Sequence, residues 1–470
     1  MASAAECPRG RAGWSSQTIS PGCQRFCRND VNSTRVVGDG EQKVQRLLIV
    51  FSLLFVVGAQ AEIAPEQIDK AAAAVQPQVV EWRRWFHANP ELSNREFNTA
   101  AKIAEILRGM GLEPRTGIAH TGLMAIIEGG RPGPLVAIRT DMDGLPVTEQ
   151  TGLPFASTAR AEYNGQEVGV MHACGHDNHM AMVLGAAKIL NDMRGELPGS
   201  VMLIFQPAEE GPPAGEEGGA ELMLKEGLFD ARKPEAVFGI HVGISVPGGQ
   251  FSTKPGPMMA SADRYLIRVN GRQTHGARPW DGVDPITVSA QIILGLQTIA
   301  SRQLDVTRAP SIISVGRISG GIRNNVIPDQ VEIEGTIRAF DPDMRSQIHT
   351  AVERTARLVA ESAGASVEIE FDLGSPPVRN DAELAAMMMP ALERASSHPV
   401  VPLRPQTVAE DFSEYGEVTP SLFVFLGNWP DSQDPGKMPA NHSPLFDMHE
   451  PYLEHGVRAF GHMVVEYLQR

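Results

Sequence analysis

The sequence predicts an α/β fold in which a layered domain is interrupted by a smaller ferredoxin-like domain, and three observations carry that prediction. Short, continuous apolar runs alternate with helical patterns in the first half of the chain, the order changes to β-α-β-β-α-β between residues 257 and 372, and helix and strand patterns return after Gly374. Runs that are apolar throughout suit strands covered on both faces, which is the layered α/β arrangement. On this reading residues 1–61 are an N-terminal extension with a signal peptide, 62–256 and 373–470 are the two parts of the main domain, and 257–372 are the insert.

Taken in order, residues 62 to about 108 read as helix: an Ala-rich stretch, then Thr99, Ile103, Ile106 and Leu107 at helical spacing. The apolar runs at 135–138, 201–205 and 237–240 are expected strands, with a helix at 180–190 between the first two. In the insert the expected order is strand 264–269, helix 284–300, strands 312–318 and 330–338, helix 345–363 and strand 366–371. That is the ferredoxin-like signature.

Composition narrows the class of protein. The 470 residues are 42% hydrophobic and 21% charged, enough for two or three globular domains. With 41 Lys and Arg against 56 Asp and Glu, a net charge of −15 and no basic run, nucleic acid is not an expected partner. The run LLIVFSLLFVV at 47–57 follows Lys43 and Arg46 and precedes Gly58-Ala59-Gln60-Ala61. These are the parts of a secretory signal peptide, and the run is shorter than the roughly 20 residues a membrane span needs. Cleavage after Ala61 is expected to give an exported protein, periplasmic or secreted, without a stable membrane anchor. The charged flank lies far from residue 1, and a start downstream, at a valine such as Val37 or Val44, would put it in its usual place. Of the four cysteines, Cys7, Cys23 and Cys27 precede that cleavage point, so Cys174 alone stays in the exported chain, without a disulfide partner.

Each apolar run of the main domain leads into polar residues: 135–138 into Arg139, Asp141 and Asp143, 201–205 into Gln206, Glu209 and Glu210, and 237–240 into His241. Ligands of open α/β sheets sit beyond the carboxyl ends of the strands, so carboxylates and an imidazole are expected at one edge. Residues 171–179, MHACGHDNH, hold three histidines, a cysteine and an aspartate. Thiolate, imidazole and carboxylate together suit borderline divalent ions such as Zn or Mn. Adjacent Glu209 and Glu210 repel, which raises one proton affinity, and a metal-dependent hydrolase needs one carboxylate on the metal and one to take a proton from water. His275, in QTHGARP, and His442, in NHSP, would each read alone as a surface residue.

The segments RRWFHANPELSNRE, RTDMDGLP, HACGHD, QPAEEG, GIHV, HGARPWDGVDP, NVIPD, GTIRAFD, AEDFSEY and NHSP follow one another over about residues 75 to 465. In that order they resemble the amidohydrolase branch of the aminoacylase and carboxypeptidase G metallopeptidase family, with hippurate hydrolase and indole-acetyl-amino-acid hydrolase as relatives. The resemblance implies a di-metal catalytic α/β domain with the ferredoxin-like insert serving dimerisation. It implies that Cys174, His176, Glu210, His241 and His442 bind two divalent ions, Mn or Zn, that Glu209 is the general base, and that Asp143 orients part of the site. His275 would hydrogen-bond the developing oxyanion, often from the partner subunit of a homodimer, and Asn325 would receive the substrate's free carboxylate. The expected reaction is hydrolysis of small N-acyl amino acids, hippurate-like, to a carboxylic acid and an amino acid. A metallo-dipeptidase of the same fold and a non-catalytic ligand-binding relative are the alternatives. Asp141-Met142-Asp143 stands where the wider peptidase family has His-x-Asp, which argues against a plain aminopeptidase or carboxypeptidase. NVIP itself contains no Arg or Lys, so the sequence leaves the cationic partner of the carboxylate unassigned.

Overall fold

A computed structural model describes residues 62–430, 433 and 437–470; the apolar run at 47–57 and Cys7, Cys23 and Cys27 lie outside them. Among the described residues no helix is long and apolar enough to cross a membrane.

The main sheet has eight strands, in the order Arg115–Ile118, Gly122–Glu128, Pro198–Gln206, Arg131–Asp141, Ala236–Gly248, Ser421–Gly427, Phe251–Thr253 and Val401–Pro402. Its four central strands, Pro198–Gln206 through Ser421–Gly427, are mutually parallel, while the Gly122–Glu128 and Phe251–Thr253 strands join antiparallel. Every residue of Ser421–Gly427 is buried, as a strand covered on both faces must be.

Two apolar layers explain that coverage. Val136, Ile138, Leu203, Phe205, Phe238, Ile240 and Val424 pack on one side against helices Pro65–Ala88, His176–Asp192, Ala382–Ser396 and Leu453–Leu468. Ala137, Met202, Ile204, Val237 and Phe423 face the other way, toward Met223, Phe412 and Tyr415. Alternation along continuous apolar runs therefore feeds both cores at once, and the ends of the parallel strands share one edge.

The insert has its own core and a four-stranded antiparallel sheet, ordered Ser311–Gly320, Gln330–Ala339, Asp263–Asn270, Ser366–Leu373. Helices Pro285–Arg302 and Pro342–Ser362 begin with proline behind capping aspartates; Asp284 accepts from Ile286 N–H at 2.9 Å and Asp341 from Met344 N–H at 3.0 Å. Tyr265, Ile267, Val269, Ile333 and Ile337 alternate inward onto these helices. Arg115–Ile118 and Gly122–Glu128 are strands that the periodicity did not predict; they extend the sheet antiparallel beyond its parallel centre.

Helix His176–Asp192 is fastened to helix Pro65–Ala88 by buried charge. Arg83 Nε donates to Asp177 at 2.8 Å, His87 Nδ1 lies 2.8 Å from the same carboxylate, and His87 Nε2 lies 3.0 Å from Glu149. Burial opposes charge on His87, but Asp177 and Glu149 outweigh it and raise its pKa to about 9. Because the folded value exceeds the unfolded one, this contribution, up to about 3 kcal/mol, is complete below about pH 6.5 and fades as pH rises toward 9. Urea unfolding of wild type and His87→Gln should show a stability gap that narrows over that window; a pH-independent gap would contradict the charged assignment.

Candidate active site

The carboxyl edge of the parallel strands collects the polar residues. Cys174, His176 and His241 form one group whose ligand atoms all lie within 4.8 Å of one another, Cys174, Glu210 and His442 a second, and His176, Glu209 and Glu210 a third. Cys174 Sγ is 3.4 Å from His241 Nε2, and Glu210 Oε1 is 3.2 Å from His442 Nε2. His176 Nε2 faces Glu209 at 3.7 Å and Glu210 at 4.0 Å.

Local backbone makes this convergence possible. Gly175 has φ +102°, and a Cβ there would lie 2.4 Å from Val242 Cγ2, so only glycine lets Cys174 and the first residue of the following helix, His176, turn into one space. Ala208 (φ 53°) and His442 (φ 69°) occupy the left-handed region without being glycine, strain that the surroundings must hold. Glu96 accepts the Ala208 N–H at 2.9 Å, and the His442 N–H donates to Ala173 O at 2.8 Å.

Asp143 lies beneath the cluster. Its carboxylate accepts the N–H groups of Glu209 at 3.1 Å and Glu210 at 3.0 Å, and the Ser93 hydroxyl at 2.8 Å. Its backbone carbonyl lies 2.9 Å from His176 Nδ1. A carbonyl only accepts, so His176 carries a proton on Nδ1 and presents Nε2 to the cluster; His241, 2.7 Å from Val242 O through Nδ1, does likewise.

The donor set fits divalent metal. His176 Nε2 is buried without a hydrogen-bond partner among the described residues, and Glu210 Oε1 faces His442. Burial pushes the Cys174 thiol well above its usual range, and Glu210, Glu209 and Asp141 push it further. Burial likewise raises Glu209, with Glu410, Glu210 and Asp411 adding to it. Burial opposes charge on His176, but Asp141 and Asp143 raise its pKa to about 10. Crowded acids, a thiol held protonated and an imidazole drawn toward a proton all describe a space short of positive charge, and a divalent ion reverses each shift.

A second carboxylate system is already compensated. Arg139, 2% exposed, donates to Asp141 at 2.7 Å and Asp411 at 2.9 Å, pairs with Glu410 at 3.0 Å, and holds Gln206 Oε1 at 2.9 Å. His179 lies 2.7 Å from the other Asp141 oxygen. Asp141, His176 and His179 are close enough to hold an ion, but Arg139 and His179 already occupy the Asp141 carboxylate. Sequence reading assigned no role to Ser93, Glu96, Arg139, His179, Glu410 or Asp411. An arginine at the end of a strand buried on both faces was the available signal, because a buried guanidinium requires carboxylates somewhere in the chain.

His275 and Asn325 are not in this cluster. They adjoin each other at a small two-stranded antiparallel sheet of the insert, Thr274–His275 with Val326–Ile327, where Gly276 N–H donates to Asn325 O at 2.8 Å and His275 pairs with Val326. Both side chains are exposed. Ala277 N–H donates to His275 Nδ1 at 3.0 Å, which leaves the proton on Nε2, pointing outward as a donor.

Residues 137–466 match the model of peptidase family M20/M25/M40. The chain belongs to that family. It is 37% identical over 404 residues, 86% of its length and 98% of the relative's, to thermostable carboxypeptidase 1 of Saccharolobus solfataricus. It is 40% identical over 315 residues, 67% of this chain and 81% of the other, to an N-acyl-L-amino acid amidohydrolase of Geobacillus stearothermophilus. The YXEP protein of Bacillus subtilis, described as a dinuclear metal-binding peptidase of the M20 family, superposes with a TM-score of 0.72 at 35% identity, covering 84% of this chain and 99% of that one. This M20 protein is a hydrolytic enzyme.

Two substitutions separate metal holding from proton transfer in the M20 site. After dialysis against metal-free buffer, Cys174→Ser should retain less metal than wild type, whereas Glu209→Ala should retain as much. Full metal content in the Cys174 variant would contradict a ligand role for the thiol.

Proposed function

We propose that this protein is a di-metal amidohydrolase that cleaves N-acyl amino acids. The observation that carries the reading is the set of nitrogen, sulfur and oxygen donors, with His176 Nε2 buried and unpartnered among the described residues, gathered beside Glu209 at the sheet edge. Cys174, His176, Glu210, His241 and His442 would hold two divalent ions, Mn or Zn, which supply Lewis acidity at the amide carbonyl and acidify water. Glu209, whose backbone is fixed by Asp143, takes a proton from that water and delivers it to the departing amine nitrogen, acting as base and then as acid. The amidohydrolase relative supports this substrate class, and the carboxypeptidase relative supports peptidase activity as a second reading.

Placement of the insert supports a homodimer. A cleft of about 650 Å³ is lined by Glu209 and Glu210 together with Ala262, Leu373 and Gly374, where the chain enters and leaves the insert. From that junction strand Asp263–Asn270 runs eight residues, about 25 Å, toward the small two-stranded sheet at which His275 and Asn325 lie. Within one chain those groups stand at the far end of the insert from Glu209. In a dimer, His275 of the partner subunit would donate Nε2–H to the developing oxyanion, and Asn325 of the partner subunit would meet the substrate. Ser311–Gly320, an edge strand of ten residues carrying exposed Ile312 and Ile318, offers a surface for such pairing.

Arg338 supplies the cation that the sequence left unassigned. It is half-buried on strand Gln330–Ala339, donates only to Thr336 Oγ1 at 2.6 Å and Ile337 O at 3.1 Å, and has no carboxylate partner among the described residues. It lies at the junction end of that strand, where Ala339 N–H reaches Ser261 Oγ at 3.2 Å, and would bind the substrate carboxylate. Export by the segment ending at Ala61 is part of the same proposal.

The test is hydrolysis of N-benzoylglycine, N-acetyl-Met, N-acetyl-Leu and a free dipeptide by protein supplied with Mn or Zn. Acylated amino acids should be cleaved, Glu209→Ala should lose about 10²- to 10⁴-fold in rate, and Arg338→Met should raise KM. Cleavage of the dipeptide alone would favour the peptidase reading, and no turnover at all would oppose catalysis. For action across subunits, co-expressed Glu209→Ala and His275→Ala chains should recover roughly a quarter of wild-type activity, since half the dimers are mixed and each holds one complete site. No recovery would place His275 in the site of its own chain.

A further inference from the structure

We infer that His179 and Asn441 are positioning residues that fix the metal-facing geometry of His241 by gripping the backbone of Val242, His179 at its N–H and Asn441 at its carbonyl. The inference rests on the reading of Cys174 and His241 as metal ligands, and it explains two polar groups to which that reading gives no task.

The Val242 N–H donates to His179 Nε2 at 2.9 Å. An amide N–H cannot accept, so Nε2 carries no proton, and His179 donates through Nδ1 to Asp141 at 2.7 Å. Burial keeps that imidazole neutral, lowering its pKa. On the carbonyl side of the same residue, Val242 O accepts from His241 Nδ1 at 2.7 Å and from Asn441 Nδ2 at 3.1 Å. Asn441 Nδ2 also donates to Cys174 O at 2.9 Å. The Val242 side chain closes over the space where Gly175 lacks a Cβ.

The backbone of one residue, Val242, is therefore tied through its N–H to His179 and so to strand Arg131–Asp141, and through its carbonyl to the Cys174 loop by way of Asn441 and to the His241 ring. Rotating the backbone there would turn His241 Nε2 away from Cys174 Sγ, now 3.4 Å distant. His179 could alternatively be a ligand, since it lies close to Asp141 and His176. Its two nitrogens are already engaged, which makes it a strut between strand ends rather than a donor to an ion.

The experiment titrates the metal-free full chain with Co²⁺, following affinity by chelator competition and the thiolate-to-cobalt charge-transfer band. Wild type should take up two Co²⁺. His179→Phe and Asn441→Ala should each weaken binding about 10- to 100-fold, still reach two ions at saturation, and shift the band. The double variant should lose less than the product of the two factors, because both act through the backbone of the same residue, Val242. If His179→Phe does not fold, Asn441→Ala decides through its affinity and band. Failure of wild type to bind two Co²⁺ would sink the ligand reading itself. With wild type intact, unchanged affinity and spectrum in the variants, factors that multiply, or saturation of His179→Phe at one ion would overturn the positioning role.

Discussion

Compensation of buried charge is the constraint on which the rest of this site depends. The strand ends bring Asp141, Glu209, Glu210, Glu410 and Asp411 into a small volume where repulsion between carboxylates is poorly screened. Arg139 neutralises one side of that volume by engaging Asp141, Glu410 and Asp411 together. What it leaves uncompensated is the other side: Glu209, Glu210 and the Cys174 thiol, with the open nitrogens of His176 and His241. The protein supplies its own cation where the role is structural and leaves the charge unmet where chemistry is proposed. The Asp143 carboxylate is taken up by the backbone N–H groups that aim Glu209 and Glu210.

The scaffold keeps these groups from relaxing apart. Left-handed Ala208 and His442, and the turn at Gly175, would each open without hydrogen bonds on neighbouring elements. Helix His176–Asp192 begins inside the cluster and is anchored behind it by Arg83, His87 and Asp177, so the helix end that carries His176 is fixed by charges on its other face. Preorganisation of this kind matters because a donor set that rearranged to escape its own repulsion would bind metal only after paying that energy back.

The insert follows a different logic. Its core is self-contained, with Arg338 near one end of its sheet and the small two-stranded sheet beside which His275 and Asn325 lie beyond the other. In the proposed dimer such an insert would serve a nearby site with one end and a distant site with the other. Dimerisation would then complete the proposed active site.

Much of this was legible in the sequence. Continuous apolar runs marked the strands from 131 to 248, and the element order of the insert marked its topology, because burial on two faces and local capping are written in residue spacing. The crowding of Cys174 and His176 was legible for the same reason: helical turns and loops bring near neighbours together whatever the rest of the chain does. The antiparallel strands before residue 130 lacked a distinct period, and the polar residues of PELSNRE and AEDFSEY carried no local sign of what they touch. Glu410 meets Arg139 and Asn441 meets Val242 across hundreds of residues, contacts set by which strands adjoin. The sequence by itself thus determined the elements, the donor types and the edge of the sheet at which they gather. Only the tertiary structure decided which carboxylates are already neutralised, which ring nitrogens are left open, and that His275 stands an insert's length away from Glu209, because those depend on packing between segments that share no local pattern.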